Sequence, residues 1–143
     1  MARPRRTVTS VHTLKITLQG TKPPIWRRLE VPSDMKLSSL HKAIQIAFDW
    51  GGHHLHQFVT DEDYISDPSF ELGALDQRRY TLAQVAPAVK QRFSYEYDFG
   101  DGWDHLILVE KIMPPTEGIA YPRCTKAVLA APPDDVGGVW GYY

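Results

Sequence analysis

The stretch Arg92–Ile112, RFSYEYDFGDGWDHLILVEKI, decides the predicted fold because it has the pattern of a β-hairpin. In its first half, aromatic residues alternate with polar ones: Phe93, Tyr95, Tyr97 and Phe99 share one face, and Ser94, Glu96 and Asp98 share the other. Its second half is rich in Leu, Ile and Val, and glycines separate the two halves. This alternation predicts two antiparallel strands joined by a tight turn.

The length of that turn decides which side chains meet across the hairpin. A two-residue type I′ turn at Asp101-Gly102 places Asp98 opposite His105, so that an acid lies beside an imidazole. A three-residue loop, Gly100–Gly102, places Asp98 opposite Asp104 instead. We take the two-residue turn as the main hypothesis, since Asp-Gly favours it.

The two-residue turn also predicts one apolar face and one polar face for the hairpin. Tyr95 and Tyr97 then pair with Leu108 and Leu106 in the core. The opposite face carries residues that a core does not require: Glu96, Asp98, Trp103 and His105. We therefore expect a functional site on that face.

Chain length and charge limit the classes of protein that fit. The chain has 143 residues, which suits one domain. Its 16 Lys and Arg against 17 Asp and Glu give a formal net charge of −1. This near-neutral net charge does not support a protein that binds nucleic acid over its whole surface, although the chain can still carry a local basic patch.

Cysteine usage and hydropathy bear on the compartment. Cys124, the one cysteine, excludes an internal disulfide and fits a reducing cytosol. No apolar run approaches the length that crosses a bilayer. Residues 7–20 alternate polar and apolar positions where a signal peptide needs an apolar stretch. We predict a cytoplasmic protein without a membrane partner.

The remaining pattern predicts a basic arm followed by one α+β domain. Residues 1–10, with three arginines, are predicted to be a flexible arm, either solvated or bound to nucleic-acid phosphates. The elements predicted in residues 11–143 are strands at 11–18, 25–31 and 53–59, a helix at 37–50, a short capped helix at 81–86, the hairpin, and a Pro/Gly-rich irregular tail. We expect a single mixed sheet covered by one main helix, similar to a β-grasp.

Histidines and an aspartate supply the ligand types of a divalent metal site. His54 and His56 share one face of the third predicted strand, and His105 and Asp101 come from the hairpin. Imidazole and carboxylate ligands two residues apart on a strand can converge on one ion. In the alternative, both strand histidines hydrogen-bond loop carbonyls and bind no metal.

Asp98 and His105 have two interpretations. As a catalytic pair, one acts as general base and the other orients it. As a structural pair, they are opposite charges on neighbouring strands.

Trp26, Arg27 and Arg28 form a second candidate binding group, to which we add Trp103 of the hairpin. Two guanidinium groups can fork onto a phosphate or a carboxylate. Arg27 is unusual because the strand pattern places its charge on the apolar face. In the alternative, Arg28 is solvated and Arg27 pairs with an acid of the final hairpin.

Several ordered motifs resemble the plasmid pRiA ORF-3-like family: PPIWRR at 23–28, AFDW at 47–50, HLHQF at 54–58, YEYDFGDGWDH at 95–105, YPRC at 121–124 and PPDDVGG at 132–138. The resemblance implies an α+β fold and an association with plasmids and insertion elements, and it implies no established reaction or cofactor. Many relatives have cysteines where this chain has Ala131 and Val136, so it lacks those thiols.

Two hypotheses of function follow. The first is a non-enzymatic binding module that holds a protein segment or a small anionic ligand on a surface formed by Trp26/Arg28, His54/His56 and Asp98/His105. The second is a metal-assisted hydrolase acting on a phosphoester or nucleic acid. Its metal ligands would be His54, His56, Asp101 and His105, and its general base would be Asp98.

Overall fold

One β-sheet and one principal helix form the fold in the computed structural model, which describes residues 7–52 and 54–134. The strands are β1 (Val11–Leu18), β2 (Ile25–Pro32), β3 (His56–Val59), β4 (Tyr64–Ser66), β5 (Leu75–Asp76), β6 (Arg92–Tyr97), β7 (Trp103–Met113) and β8 (Arg123–Val128). The helices are α1 (Leu37–Ala47) and α2 (Leu82–Val85), with 3₁₀ turns at Pro68–Phe70 and Gln77–Arg79.

The strands form a single eight-stranded sheet in the order β5-β4-β3-β6-β7-β1-β2-β8. Only β4 and β5 pair in parallel, and the other neighbours are antiparallel. The predicted α+β arrangement, one mixed sheet with one main helix, is confirmed. The likeness to a β-grasp stays a prediction.

Alternation along each strand creates two unlike sheet faces. In β1, Leu14 and Ile16 are fully buried, whereas Lys15 is half-buried on the opposite side. The buried stripe of α1, which includes Leu40 and Ile44, packs into the same core. We call the side beneath α1 the covered face and the other side the open face, on which no helix lies in the described part of the chain.

The hairpin register differs from both predicted alternatives. Tyr97 pairs with Trp103 and Tyr95 pairs with His105, which leaves a five-residue loop at 98–102. The predicted opposition of Asp98 and His105 is therefore wrong.

Asp98 explains the longer loop. Its backbone turns into the left-handed region with φ 59°, which ends β6. Its carbonyl accepts the Gly102 N–H at 2.6 Å, and its Oδ1 accepts the Asp101 N–H at 3.2 Å. An aspartate that bonds the backbone ahead of it favours a turn over a continuing strand.

The corrected register reverses the predicted faces of β7, whereas Tyr95 and Tyr97 of β6 lie in the core as predicted. Trp103 and His105 are 0% exposed on the covered face, where they join Tyr95 in the core. Leu106 and Leu108, predicted to be in the core, lie half-buried on the open face. The polar face of the hairpin therefore keeps Glu96 but carries neither Trp103 nor His105.

Two element boundaries differ from prediction, and one predicted helix cap is confirmed. The third strand begins at His56, so His54 precedes it, and His53 lies outside the described residues. The main helix ends at Ala47 and has Lys36 at its N-cap, without a side-chain cap. Thr81 and Gln84 form the predicted capping box of α2, which is confirmed.

The predicted irregular tail contains a strand. β8 pairs with β2 along one edge of the sheet, and most of its residues are exposed. Because neither face of β8 is buried, its sequence carries no apolar alternation, which explains why the prediction missed it. Residues 1–6 of the predicted arm and 135–143 of the predicted tail lie outside the described residues.

No described helix is long and apolar enough to cross a bilayer. α1 has 11 residues, whereas a membrane-spanning helix needs about 20.

Three buried histidines and the half-buried His41 make stability depend on pH. Burial lowers the pKa of His12, His56 and His105, in the last case to about 4. Burial and then the nearby His56 lower the pKa of His41 to about 3. All four imidazoles are therefore neutral in the folded protein at pH 7.

We predict that the protein loses stability on mild acidification. Unfolded histidines have an ordinary pKa of about 6.5, so below this pH the unfolded state binds more protons than the folded state. The stability present above pH 6.5 is lost as pH falls toward 5, by at most about 1.4 kcal/mol per pH unit for each histidine. Urea unfolding at pH 7 and pH 5 measures the loss.

His41→Gln provides the matched control for this prediction. The variant should show a shallower decline between the same two pH values, because one titrating imidazole is gone. Equal free energies of unfolding at pH 7 and pH 5 in the unmodified protein would contradict the prediction.

Candidate functional site

The structure divides the predicted site residues among three places. Trp26 and Arg28 lie on the open face, whereas Arg27, His56, Trp103 and His105 lie on the covered face, and His54, Asp98 and Asp101 lie at the end of the sheet beside the hairpin loop. They therefore do not form the one surface that was predicted.

Both ring nitrogens of His105 form hydrogen bonds within the core. Its Nδ1 donates to the Tyr95 carbonyl at 3.1 Å, and its Nε2 accepts from the Trp50 indole at 3.3 Å. This pattern assigns the proton to Nδ1. Neither nitrogen offers a lone pair to a metal ion in this arrangement.

His56 belongs to a polar network between α1 and the sheet. It stacks on His41 with ring centroids 3.6 Å apart, and its Nε2 donates to Gln77 Oε1 at 2.8 Å. The Tyr95 hydroxyl donates to His41 Nδ1 at 2.6 Å and accepts from the Gln45 amide at 2.8 Å. The network satisfies the polar groups that the helix buries against the sheet.

Arg27 fastens the end of α1 to the edge of the sheet. Its Nε donates to the Ala47 carbonyl at 2.7 Å, and its Nη1 donates to the Trp26 and Leu129 carbonyls, both at 2.9 Å. Its guanidinium lies 5.0 Å from the Phe48 ring centroid. A buried charge on the apolar face is thus matched by carbonyl oxygens and an aromatic ring.

Arg28 makes the contact that one alternative assigned to Arg27. Its Nε and Nη2 donate to the two carboxylate oxygens of Glu110, at 2.7 and 3.2 Å. This hydrogen bonding lowers the pKa of the Glu110 carboxyl. Pairing of Arg27 with an acid of the hairpin is therefore wrong, and Arg28 is the arginine that pairs.

Asp98 does meet an imidazole at the end of the sheet. His54 Nε2 lies 3.5 Å from Asp98 Oδ2, and the Asp98 N–H donates to the Leu55 carbonyl at 2.8 Å. The acid–imidazole pair thus forms with a different histidine from the one predicted.

Asp134 joins this end of the sheet, which the residue pattern alone did not reveal. Its Oδ2 accepts the Gly51 N–H at 2.8 Å, just after α1. The PPDD motif, quoted only for the family resemblance, is the sequence signal that could have identified it. Residues 7–52 and 54–134 hold no group of three or more His, Cys, Asp or Glu side chains that could hold a metal ion.

The open face carries a basic row that runs across the strands. Its members are cross-strand neighbours in the order Lys126, Arg28, Lys15, Leu108 and Arg92. Like charges directly opposite one another destabilise a sheet. The sheet itself does not require this row, and sequence reasoning missed all but Arg28 because the row depends on which strands are neighbours.

Trp26 lies at the centre of these cations. Its ring centroid is 4.6 Å from Lys15 Nζ, 5.0 Å from the Arg28 guanidinium carbon and 5.5 Å from Lys126 Nζ. Cations at such distances are attracted to the face of an indole. The ring therefore helps to order three members of the basic row.

A middle row of uncharged residues follows the basic row. Two residues further along the strands, the cross-strand neighbours are Val128, Trp26, Thr17, Leu106 and Ser94. The middle row offers an indole, two hydroxyls and two aliphatic groups on one surface.

An acidic pair lies beyond the middle row on the open face, two residues further along β6 and β7. Asp104 lies directly opposite Glu96, and Gln57 Nε2 donates to Glu96 Oε2 at 3.0 Å. Burial, and then the neighbouring Glu96, raise the pKa of Asp104. Positive and negative charges thus occupy opposite sides of the middle row.

Arg27 and Arg28 allow a test of their separate roles. We predict that Arg27→Met lowers the free energy of unfolding by about 2–4 kcal/mol, because it leaves buried carbonyls without a donor. Arg28→Met removes a half-buried ion pair that solvent still reaches and should cost less than about 1 kcal/mol. Urea unfolding of both variants measures the difference, and equal losses would contradict the assignment.

Comparisons with known proteins agree with the motifs. Residues 10–143 match the family model described as plasmid pRiA4b ORF-3-like protein. Uncharacterized protein y4hQ of Sinorhizobium fredii is 41% identical over 138 residues, which cover 94% of this chain and 71% of that protein.

A solved structure extends the likeness to the fold. The crystal structure of MM3350, a protein of unknown function from Methanosarcina mazei Go1, has a TM-score of 0.87 and 38% identity, over 96% of this chain and 80% of that one. The family predicted from the motifs is therefore confirmed. This chain belongs to the plasmid pRiA4b ORF-3-like protein family.

Proposed function

We propose that this protein is a non-enzymatic binding module that holds an anionic ligand on the open face of its sheet. The observation that carries the proposal is the row of Lys126, Arg28, Lys15 and Arg92 arranged across neighbouring strands around Trp26.

The charge of the basic row is only partly compensated. Glu110 pairs with Arg28, and its carboxyl also interacts with Lys15. Glu110 is the carboxylate that pairs with this row, since Glu30, the next residue of β2 on the open face, pairs with Arg123 of β8. Opposed like charges cost a sheet a fraction of a kcal/mol per pair, so their presence favours a role in binding over a role in folding.

Contacts within the row prepare it for an anion. The Trp26 ring lies within 5.5 Å of both lysine ammonium groups, and Glu110 holds the Arg28 guanidinium in place. Side chains that are already ordered lose less entropy when they bind a ligand. Arg28 also keeps further N–H donors for an oxyanion.

The chemistry of the row favours binding over catalysis. Lysine and arginine side chains are protonated at neutral pH, where they supply positive charge and hydrogen-bond donors. A protonated ammonium or guanidinium group is neither a nucleophile nor a general base. The open face therefore supports recognition of an anion without a reaction.

The proposal predicts that inorganic tripolyphosphate binds and that the lysines of the basic row carry the binding. Lys15→Gln combined with Lys126→Gln should raise the Kd at least tenfold, because two of the four cations are lost. Calorimetry at low salt measures the Kd. Added salt should weaken binding to the unmodified protein, since it screens exposed charges.

A matched pair of lysines outside the open face provides the control. Lys36→Gln combined with Lys42→Gln makes the same change in net charge at the N-cap and on the exposed side of α1. This control should bind within about twofold of the unmodified protein. No binding by the unmodified protein, or equal weakening in both double variants, would contradict the proposal.

A further inference from the structure

We infer that the ligand is single-stranded nucleic acid, with its phosphates on the basic row and its bases on the middle row. The inference rests on the proposed function, since it names the class of anion that the open face holds. It is carried by the order of the three zones on that face: basic, uncharged and acidic.

The length of the basic row favours a polymer over a small anion. Lys126 and Arg92 are separated by four strand spacings, which amount to about 19 Å. A single phosphate or carboxylate reaches one or two of the cations. A chain of phosphates running across the strands reaches all four, and Leu108 lies beneath the one gap.

The distance between rows matches the shape of a nucleotide. Residues two apart on a strand lie about 7 Å from each other, so the middle row lies one such step from the basic row. A nucleotide has its phosphate and its base separated on this scale. Phosphates on the basic row therefore bring the attached bases over the middle row.

The middle row has the chemistry that bases require. A base that stacks on the Trp26 indole takes the place of a cation that contacts the ring without ligand, and that cation then meets the phosphate. Stacking on an indole tolerates any base. Thr17 and Ser94 offer hydroxyls that donate to or accept from base edges. An acidic peptide or a sulfated sugar has no base to stack on the indole.

The acidic pair favours a single strand over a duplex. Glu96 and Asp104 lie four residues along their strands from the basic row, at about 14 Å. A duplex carries a second phosphate backbone, which these carboxylates repel. A single strand keeps all its phosphates on the basic side.

A cavity begins where the basic row ends. It has a volume of about 850 Å³ and is lined in part by Arg92, Ser94 and Leu106, which are also open-face residues. Asp61 and Asp63 line the same cavity. Their carboxylates repel phosphate, so the path of the backbone ends near Arg92, and the cavity offers room for an uncharged base.

The test compares ligands that share charge but differ in their bases. Fluorescence anisotropy measures the binding of a labelled oligothymidylate of twelve nucleotides and of an abasic strand of the same length. The thymidylate strand should bind at least tenfold more tightly, because stacking adds to the phosphate contacts. In Trp26→Leu this preference should fall to about twofold or less.

Salt dependence counts the phosphates that are contacted. Four contacts predict a slope of log K against log salt of about −2.8 for a single strand. Lys15→Gln combined with Lys126→Gln should reduce the slope by about 1.4. The control pair Lys36→Gln and Lys42→Gln should leave it unchanged.

Competitors separate the failure of this inference from failure of the proposed function. Equal affinity for the abasic strand, for polyglutamate or for a duplex of the same length would overturn the single-strand assignment while an anion site remains. Absence of binding to tripolyphosphate and to every polyanion would overturn both. Thermal unfolding of each variant measures whether its fold is retained, which matters most for Trp26→Leu because Trp26 is half-buried.

Discussion

The pairing of Tyr97 with Trp103 is the constraint on which the arrangement of both sheet faces depends. Side chains alternate with period two along a strand, so an odd change in register moves every residue of β7 to the opposite face. With the observed register, Trp103 and His105 enter the core and Leu106 reaches the open face. The five-residue loop that begins at Asp98 determines this register.

Local patterns predicted the elements that have one buried side, and they failed where the answer depends on distant neighbours. β1, α1 and the capping box at Thr81 follow from apolar periodicity and cap chemistry, which are properties of a short segment. The register of the hairpin depends on the left-handed backbone conformation of Asp98, which the sequence YEYDFGDGW does not predict. The basic row depends on β8 lying beside β2, a contact between segments about 100 residues apart, so no local pattern contains it.

Polar residues on the two faces of the sheet divide into two physical classes. Arg27 and His56 satisfy buried groups between α1 and the sheet, and their partners are carbonyl oxygens and an amide. Arg28 and Lys15 remain half-buried on the open face, where solvent and ligands reach them. The charge of Arg27 on the covered face therefore has a structural role. The cations of the basic row, which lie opposite one another on the open face, form the surface proposed for binding.

The position of β8 at the sheet edge couples the stability of that edge to recognition. Among residues 7–52 and 54–134, β8 pairs with β2 and with no other strand, yet it carries Lys126. Edge strands open locally at lower free-energy cost than central ones, so the fourth cation is present only while β8 stays paired. A ligand that contacts both Lys126 and Arg28 would hold β8 and β2 together. By linkage, a bound ligand shifts the equilibrium of β8 toward the paired state. Any factor that favours the unpaired state lowers the affinity for the ligand by the same free energy.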